Sequence, residues 1–216
     1  MLTRQRAFFG ISILCATLMI AGLVGATVVE RKDSKDLVKS AEIIIEGKCL
    51  QKTVGYDKRG RIATTYSVEV GKALRAAKRG EIVKITFPGG ELDGRGLIIP
   101  GVPALAVGEE FVIFLTEESP RGIRYPVGLA QGKFQIERDA KTGEKRLRRD
   151  LADLDIVDLK TGNRIDKLAN QTFVYNEWMQ QIEKLVADDD AQKKAAESLT
   201  KENQKKLEGT ESRKAK

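Results

Sequence analysis

The sequence predicts a mainly β protein, and three observations support this class. Runs rich in β-branched and aromatic residues recur roughly every ten to fifteen residues, glycines and prolines separate them, and no long helical pattern lies among them. The count is about seven strands. We expect a small OB-like Greek-key β-barrel rather than two packed sheets, because the runs are long, bend at glycines and are too few to fill two sheets.

The N-terminus carries an uncharged run from Phe8 to Val29 that follows Arg4 and Arg6. This pattern is typical of a signal peptide, and residues 24–26 supply the small side chains that a signal peptidase recognises. The run is also long enough to cross a bilayer as a helix. We expect residues 1–26 to be a cleaved signal peptide or a retained membrane anchor, the second giving membrane association through residues 8–29. In either form the body is exported to the periplasm, the cell surface or the extracellular space.

The body, residues 34–186, begins with a short lead-in for which Ser34 is a candidate cap. The first long strand is predicted at Ala41–Leu50, where β-branched residues are dense and Gly47 indicates a bulge. The polar stretch 51–60 is predicted to be a loop. The next strand, Arg61–Val70, alternates apolar and polar residues and places Ile62, Thr64, Tyr66, Val68 and Val70 on one face.

The middle of the body continues the strand pattern. In Glu81–Phe87 we expect Val83, Ile85 and Phe87 to face the core. The stretch Phe87–Leu115 contains turns at its glycines and prolines, an apolar run at 97–99 and a strand at Phe111–Leu115. A last hairpin is predicted from the strands at 133–137 and 146–151, joined by a turn at 139–145.

A C-terminal helix is predicted from Asn170 or Thr172 to about Val186, with one apolar stripe formed by Val174, Trp178, Ile182 and Leu185. We expect this helix to pack on the barrel with Trp178 as its anchor. Residues 187–216 are rich in Lys, Glu, Gln and Ala, so we expect a charged tail that is a solvated helix or disordered.

Charge and cysteine content restrict the function classes. The chain has 38 Lys+Arg and 31 Asp+Glu, a net charge of +7. The densest basic groups, residues 58–61 and 145–149, are interpreted as solvated hairpin ends, which argues against a nucleic-acid partner. Because Cys15 lies in the export segment, Cys49 is alone in the body and cannot form an intramolecular disulfide. We expect it to be a small buried hydrophobe.

No residues are predicted to be catalytic, to bind a cofactor or to bind a metal. The chain contains no histidine, which removes the commonest general base and zinc ligand. The pairs Glu109-Glu110 and Glu117-Glu118 sit beside turns, and the glycines at 89–90 and 94–96 fit turn chemistry rather than a phosphate-binding loop. Asp153, Asp155 and Asp158 lack the spacing of a calcium loop. Weak or no metal binding is expected.

The pattern of strands resembles the netrin-like OB-type barrel found in tissue inhibitors of metalloproteinases and in uncharacterised exported bacterial proteins. The resemblance covers roughly residues 37–138 and rests on four pieces: 41–47, 66–74, 81–85 and the Val-Gly-Glu turn with the strand after it, 107–115. The inhibitors reach a protease zinc through an N-terminal cysteine. Cleavage here would leave Thr27 first, so zinc-directed inhibition is not implied.

These observations favour a non-catalytic binding module of the cell envelope, whose partner is an unknown envelope protein or polymer. One alternative is a glycan-acting enzyme that uses carboxylates alone, with Glu109 and Glu110 as candidates. A further alternative is an anchored structural spacer that acts through its charged tail.

Overall fold

The computed structural model describes residues 28–214 except 153, 160, 162 and 166–169. Strand residues outnumber helical ones, so the predicted mainly β class with a C-terminal helix is confirmed. The predicted export segment, residues 1–26, lies outside the described residues. Within the described ranges no helix is long and apolar enough to cross a membrane. Val28 and Val29, the last residues of the apolar run, lie in a strand.

The chain forms β-strands along most of its length and ends in a long helix. In chain order the elements are β1 Val28–Glu30, α1 Ser34–Ser40, β2 Ile43–Tyr56, β3 Ile62–Arg75, β4 Ile82–Pro88, β5 Gly90–Leu92, β6 Arg95–Leu97, β7 Glu110–Leu115, a 3-10 helix Leu129–Gly132, β8 Lys133–Arg138, β9 Lys145–Arg149, β10 Asp155–Asp158, β11 Asn163–Ile165, β12 Gln171–Val174 and α2 Tyr175–Lys214.

Seven strands form one antiparallel sheet in the order β12-β9-β8-β7-β2-β3-β4, while β1, β10 and β11 form a second sheet and β5 and β6 a separate hairpin. In the described part of the chain no strand pairing joins β12 to β4, so the large sheet is open and the predicted closed barrel is wrong. The segment that runs beside β4 contains Pro120 and Pro126, which lack the N–H groups that a ladder needs. Among described residues, one main-chain hydrogen bond joins this segment to β4, from Arg124 N–H to Thr86 C=O (3.1 Å).

The two longest strands, β2 and β3, are both 14 residues long and bend at breaks in their register. One break lies between Glu46 and Gly47, which confirms the predicted bulge. A Cβ on Gly47 would lie 2.5 Å from Val68 Cγ1, so only glycine lets the two strands approach there. The predicted loop at 51–60 is wrong in its first half, because β2 continues to Tyr56 and pairs with β3 throughout.

Both faces of the large sheet are buried, by different partners. One face packs against α1 and α2, and its cluster contains Leu37, Val38, Ile44, Val112, Phe114, Phe134, Ile136, Leu147, Trp178, Met179, Ile182 and Val186. The other face is covered by the loop before β7, and its cluster contains Ile43, Ile45, Cys49, Tyr66, Val68, Val70, Ile85, Phe87, Leu105, Phe111, Ile113 and Leu115. Burying each such large side chain contributes roughly 1.5–3 kcal/mol relative to exposure. The predicted core face of β4 is therefore confirmed.

Both helices begin at positions other than those predicted. In α1 the cap is Asp33 rather than Ser34, because the Asp33 and Asp36 side chains each bond the other residue's main-chain N–H. In α2 the helix begins at Tyr175, since the residues before it pair with β9 as β12. The predicted anchor Trp178 is 4% exposed, as expected, but Val174 is 55% exposed and does not belong to the buried stripe.

The helix α2 extends through Lys214, so most of the predicted tail is helical. Its buried residues end at Val186, and residues 191–200 are exposed. At 1.5 Å per residue, the part beyond Asp190 projects about 36 Å from the body. Composition allowed either a solvated helix or a disordered tail, and the structure shows a helix.

The two basic groups have different environments. Residues 58–61 lie at the turn between β2 and β3, as predicted. Residues 145–149 are instead β9, a strand between β8 and β12, so their interpretation as a solvated hairpin end is wrong. Leu147 is fully buried, and Arg149 is 7% exposed with its guanidinium 5.1 Å from the centre of the Phe134 ring. Burial, helped by the nearby charge of Arg31, lowers the pKa of Arg149 to about 10.

Candidate functional site

A groove with a volume of about 1040 Å³ lies between the loop before β7 and the strands β8 and β9. Its size is at the upper end of the range of small-molecule sites, and it is partly open to solvent. Its lining residues are Lys52, Gly101, Val102, Pro103, Ala104, Leu105, Ala106, Gly108, Glu109, Glu110, Ala130, Lys133, Gln135, Ile136, Arg138, Arg148 and Asp150.

The roof of the groove, residues 101–106, is held at both ends. Gly101 has φ of 80°, and a Cβ there would lie 2.5 Å from Leu154 Cδ2, so the position requires glycine. Its C=O accepts a hydrogen bond from Ala130 N–H (2.9 Å). At the other end Leu105 is 1% exposed and inserts into the core under the sheet. An apolar anchor and a glycine hinge thus fix a loop that has no regular structure of its own.

An ion pair joins this roof to the floor of the groove, which is formed by β8 and β9. Lys133 Nζ, from β8, lies 2.5 Å from a Glu109 carboxylate oxygen, and the two side chains are 15% and 8% exposed. Lys133 also donates to Ala104 C=O (3.0 Å), while Glu109 accepts from Ala106 N–H (2.8 Å). A charge pair that also bonds main-chain groups is a strong contact because each charge is satisfied by several partners.

The floor is organised by Arg148 of β9. Its guanidinium donates to the carboxylates of Glu137 and Asp150 and to the side-chain oxygen of Gln135. The hydrogen bond that Arg148 donates to Glu137 is the main reason that the pKa of Arg148 is raised above its ordinary value. The guanidinium is therefore fixed, and the carboxylates of Glu137 and Asp150 offset its charge.

One end of the groove is lined by Lys52 of β2, by Glu110 at the start of β7 and by Arg138 at the end of β8. Arg138 Nη2 lies 3.0 Å from a Glu110 carboxylate oxygen, and both side chains are about a third exposed or more. The ionisable side chains of the whole lining are four basic ones and three acidic ones. The basic ones are Lys52, Lys133, Arg138 and Arg148, and the acidic ones are Glu109, Glu110 and Asp150.

The lone body cysteine lies next to this site and is buried, as predicted. Burial is the largest cause of the raised pKa of the Cys49 thiol, and the charge of Glu109 adds to it. The thiol donates to Gln51 C=O (3.6 Å). A neutral, buried thiol is a poor nucleophile, so Cys49 acts as a packing residue.

The structure brings together only some of the residues considered from the sequence. Glu109 and Glu110 both line the groove, whereas Glu118 lies elsewhere and pairs with Arg124 (3.5 Å). Of the glycines at 89–90 and 94–96, Gly94 lies in the turn of the β5–β6 hairpin, as predicted, whereas Gly90 and Gly96 are paired residues of its two strands. Asp155 and Asp158 belong to β10, and Asp153 lies outside the described residues. Among the described residues, no three metal-ligating side chains cluster.

Sequence reasoning missed Lys133, Arg148 and the roof segment. Lys133 and Arg148 look like ordinary strand residues. The partners of Lys133 are 24 and 29 residues away, and two of the three partners of Arg148 are 11 and 13 residues away, so local patterns do not signal these contacts. The signal that existed was the run Gly101–Ala106, which is too apolar for a solvated loop. Comparisons with known proteins add no assignment: no family model, curated protein or solved structure matches this chain.

Proposed function

We propose that this protein is an exported or membrane-anchored, non-catalytic binding module of the cell envelope, and that its partner occupies the groove under residues 101–106. The observation that carries the proposal is the Glu109–Lys133 contact, which fixes the roof over a cavity that stays open. A rigid, open cavity with charged walls is suited to binding because little ordering is needed when a partner enters.

The roles of the carboxylates favour binding over catalysis. Catalysis by carboxylates needs one acid and one base that are free to exchange protons with a substrate. In the groove, Glu109 is engaged by Lys133 and a main-chain N–H, Glu110 by Arg138, and Asp150 by Arg148. These pairs give each carboxylate a structural role, so the carboxylate-dependent enzyme is the weaker hypothesis.

Two sequence features support the envelope location. Residues 8–29 form an apolar run behind Arg4 and Arg6, which is the pattern of an export signal or anchor. The proposed netrin-like OB-type relationship, in a version whose sheet stays open, would group the protein with the exported bacterial proteins of that fold. Both remain proposals that rest on the sequence.

The experiment compares a groove-filling variant with a matched control. Ala106 is exposed and lines the groove, so Ala106→Trp fills it, whereas Ala195→Trp makes the same change on the projecting part of α2. Each protein is immobilised and exposed to an envelope extract of the producing cells. We expect a partner that is retained by the wild type and by Ala195→Trp and lost with Ala106→Trp. Equal retention by all three proteins, or retention by none, would contradict the proposal.

The location is tested separately by fractionating cells and measuring the mass of the mature chain. We expect the protein in an envelope or extracellular fraction, beginning at Thr27 if the leader is cleaved and retaining residues 1–26 if it is an anchor. An intact chain in the cytosolic fraction would contradict the exported location without affecting the groove.

A further inference from the structure

The sheet edge beside the groove is incomplete, and this bears on what the proposed binding module binds. The strand β2 pairs with β7 from Ile43 to Lys48, and Cys49 still exchanges main-chain hydrogen bonds with Gly108 and Glu109. Beyond that point β7 has ended, but β2 continues to Tyr56. In the described part of the chain, residues 51–56 of β2 pair with β3 alone.

The direction of the unpaired groups follows from the register. Gln51 is opposite Ser67 and Tyr56 is opposite Ile62, with no shift between them, and Asp57 N–H donates to Arg61 C=O (2.8 Å). In an antiparallel ladder alternate residues point their main-chain groups to the same neighbour. Residues 51, 53 and 55 therefore bond β3, and residues 52, 54 and 56 direct their N–H and C=O groups away from it.

These groups lie on the edge that β7 occupies farther along β2. Cys49 bonds the β7 side, and the register break between Cys49 and Gln51 shifts the alternation by one residue. After the shift, the main-chain N–H and C=O groups of Lys52 and Val54 point to the side of β2 on which β7 lies. An unpaired edge of this kind is a template for an additional strand.

The free edge opens into the groove. Lys52 on β2 and Arg138 at the end of β8 line the groove together, on either side of the position where β7 begins. Since β7 separates β2 from β8 in the sheet, the two strands are two spacings apart, about 10 Å, which is room for one extended chain. A strand in this position would continue the line of β7.

The charge of this region selects the occupant. The arm from Gln51 to Arg61 contains four basic residues and one acidic residue. The acidic one, Asp57, has a side chain that is 1% exposed and lies near the guanidinium groups of Arg61 and Arg121. The exposed charge of the arm is therefore positive. A second copy of the chain paired at this edge would bring two positive arms together, whereas an acidic segment would be attracted.

We propose that the partner of this groove is an extended peptide segment rich in acidic residues, which adds to the free edge of β2 at Lys52 and Val54 as a strand in line with β7. Main-chain hydrogen bonds to the edge supply affinity, and Lys52 selects acidic side chains. This inference rests on the proposed function, because it names the partner of the same groove.

The test uses purified full-length protein and a fluorescein-labelled peptide of alternating glutamate and valine, measured by fluorescence anisotropy. Two further peptides carry N-methyl groups on one or the other alternate set of residues. We expect one methylated peptide to bind about as well as the parent and the other to lose about tenfold or more, since only one set faces β2. Equal loss for both methylated peptides, or no loss for either, would overturn strand addition.

Charge selection is tested with two matched variants. Lys52→Glu reverses a charge at the groove, and Lys58→Glu makes the same change at the tip of the arm, outside the lining. We expect Lys52→Glu to weaken the glutamate–valine peptide about tenfold and Lys58→Glu to change it less than threefold. A lysine–valine peptide should not bind the wild type. Equal effects of the two variants, or equal binding of both peptides, would overturn the acidic selection.

Two other outcomes identify other occupants. If polygalacturonate binds with a dependence on Lys52 while no peptide binds, the peptide inference fails and the groove remains a binding site for an anionic polymer. If the protein forms a concentration-dependent dimer in light scattering that Val54→Pro abolishes, a second copy occupies the edge and the inference also fails. Loss of envelope partners in the Ala106→Trp experiment is independent of these results, so the two proposals can fail separately.

Discussion

The two faces of the seven-stranded sheet are built from the same strands but held by different forces. On β8, Phe134 belongs to the cluster that packs against α2, while Lys133 and Gln135 line the groove. The helix face is closed by aromatic rings, and the groove face is held to its roof by hydrogen bonds and an ion pair. Apolar burial is non-directional and fills space, whereas polar contacts act at points and leave a cavity between them. The comparison explains why the helix face is filled, whereas the other face keeps a cavity beside its own apolar cluster.

The largest effect is expected from breaking the helix face. The Trp178 ring centre lies 4.4 Å from that of Phe134 and 6.0 Å from that of Phe114, in a cluster that joins α2 to the sheet. We expect Trp178→Ala to reduce the free energy of unfolding by about 3–5 kcal/mol, because both burial and ring contacts are lost. Urea denaturation followed by far-UV circular dichroism measures the change.

The control for this prediction is Val174→Ala. Val174 precedes α2 and is 55% exposed, so its removal should change the free energy of unfolding by less than about 0.5 kcal/mol. A Trp178→Ala protein within about 1 kcal/mol of the wild type would mean that α2 does not close this face.

A smaller effect is expected from breaking the groove face. Glu109→Gln removes the charge that pairs with Lys133, so the mostly buried ammonium keeps Ala104 C=O but loses its carboxylate. We expect a loss of about 1–3 kcal/mol. Because the two residues act together, the double variant Glu109→Gln/Lys133→Met should lose less than the sum of the single changes, with a coupling above about 0.5 kcal/mol.

The matched control in the groove lining is Glu110→Gln. Its partner Arg138 is 55% exposed, so the pair is screened by water, and the expected change is below about 0.5 kcal/mol. Additive losses for Glu109 and Lys133 would show that the two side chains stabilise the roof independently. The ion pair between them would then not be what holds the roof over the groove.

The strands of the central sheet could be predicted because their signals are local. The alternation in Arg61–Val70 and the β-branched run at Ala41–Leu50 follow from side-chain geometry alone. The openness of the sheet could not be predicted, because it depends on how the segment that contains Arg124 meets β4. The hydrogen bond between them joins Arg124 to Thr86, which are far apart in the sequence. Local patterns carry no information about such a meeting.

The groove could not be predicted because its residues look ordinary in the sequence. Residues 145–149 are basic, and charge of this density is usually solvated, yet Arg149 is buried and Arg148 is held among three partners. Asp188 to Asp190 looked like the start of a tail, and two of these residues in fact bind Arg75. In both cases contacts with other parts of the fold, rather than local composition, determine the environment of the charged residues.

The smallest effect is expected where α2 leaves the body. Arg75 donates to Val38 C=O (2.6 Å) and Ala41 C=O (3.0 Å) at the end of α1, and to Asp189 (2.8 Å) on α2. Burial acts to raise the pKa of Asp189, but hydrogen bonds and charge from Lys193 and Arg75 outweigh it and the pKa is lowered. At neutral pH we expect Asp189→Asn to cost about 1 kcal/mol in the free energy of unfolding.

The pH dependence of that cost tests its origin. A carboxyl whose pKa is lower in the folded chain adds stability above its unfolded pKa, about 3.9, and loses this contribution as the pH falls through the lower folded value. The difference between wild type and Asp189→Asn should therefore shrink as the pH is lowered below about 4, measured by urea denaturation at each pH. Asp188→Asn, on the exposed side of the same turn, should match the wild type throughout. A difference that stays constant with pH would mean that the Asp189 charge does not hold the helix, so that its junction with the body depends on the apolar contacts of the helix face alone.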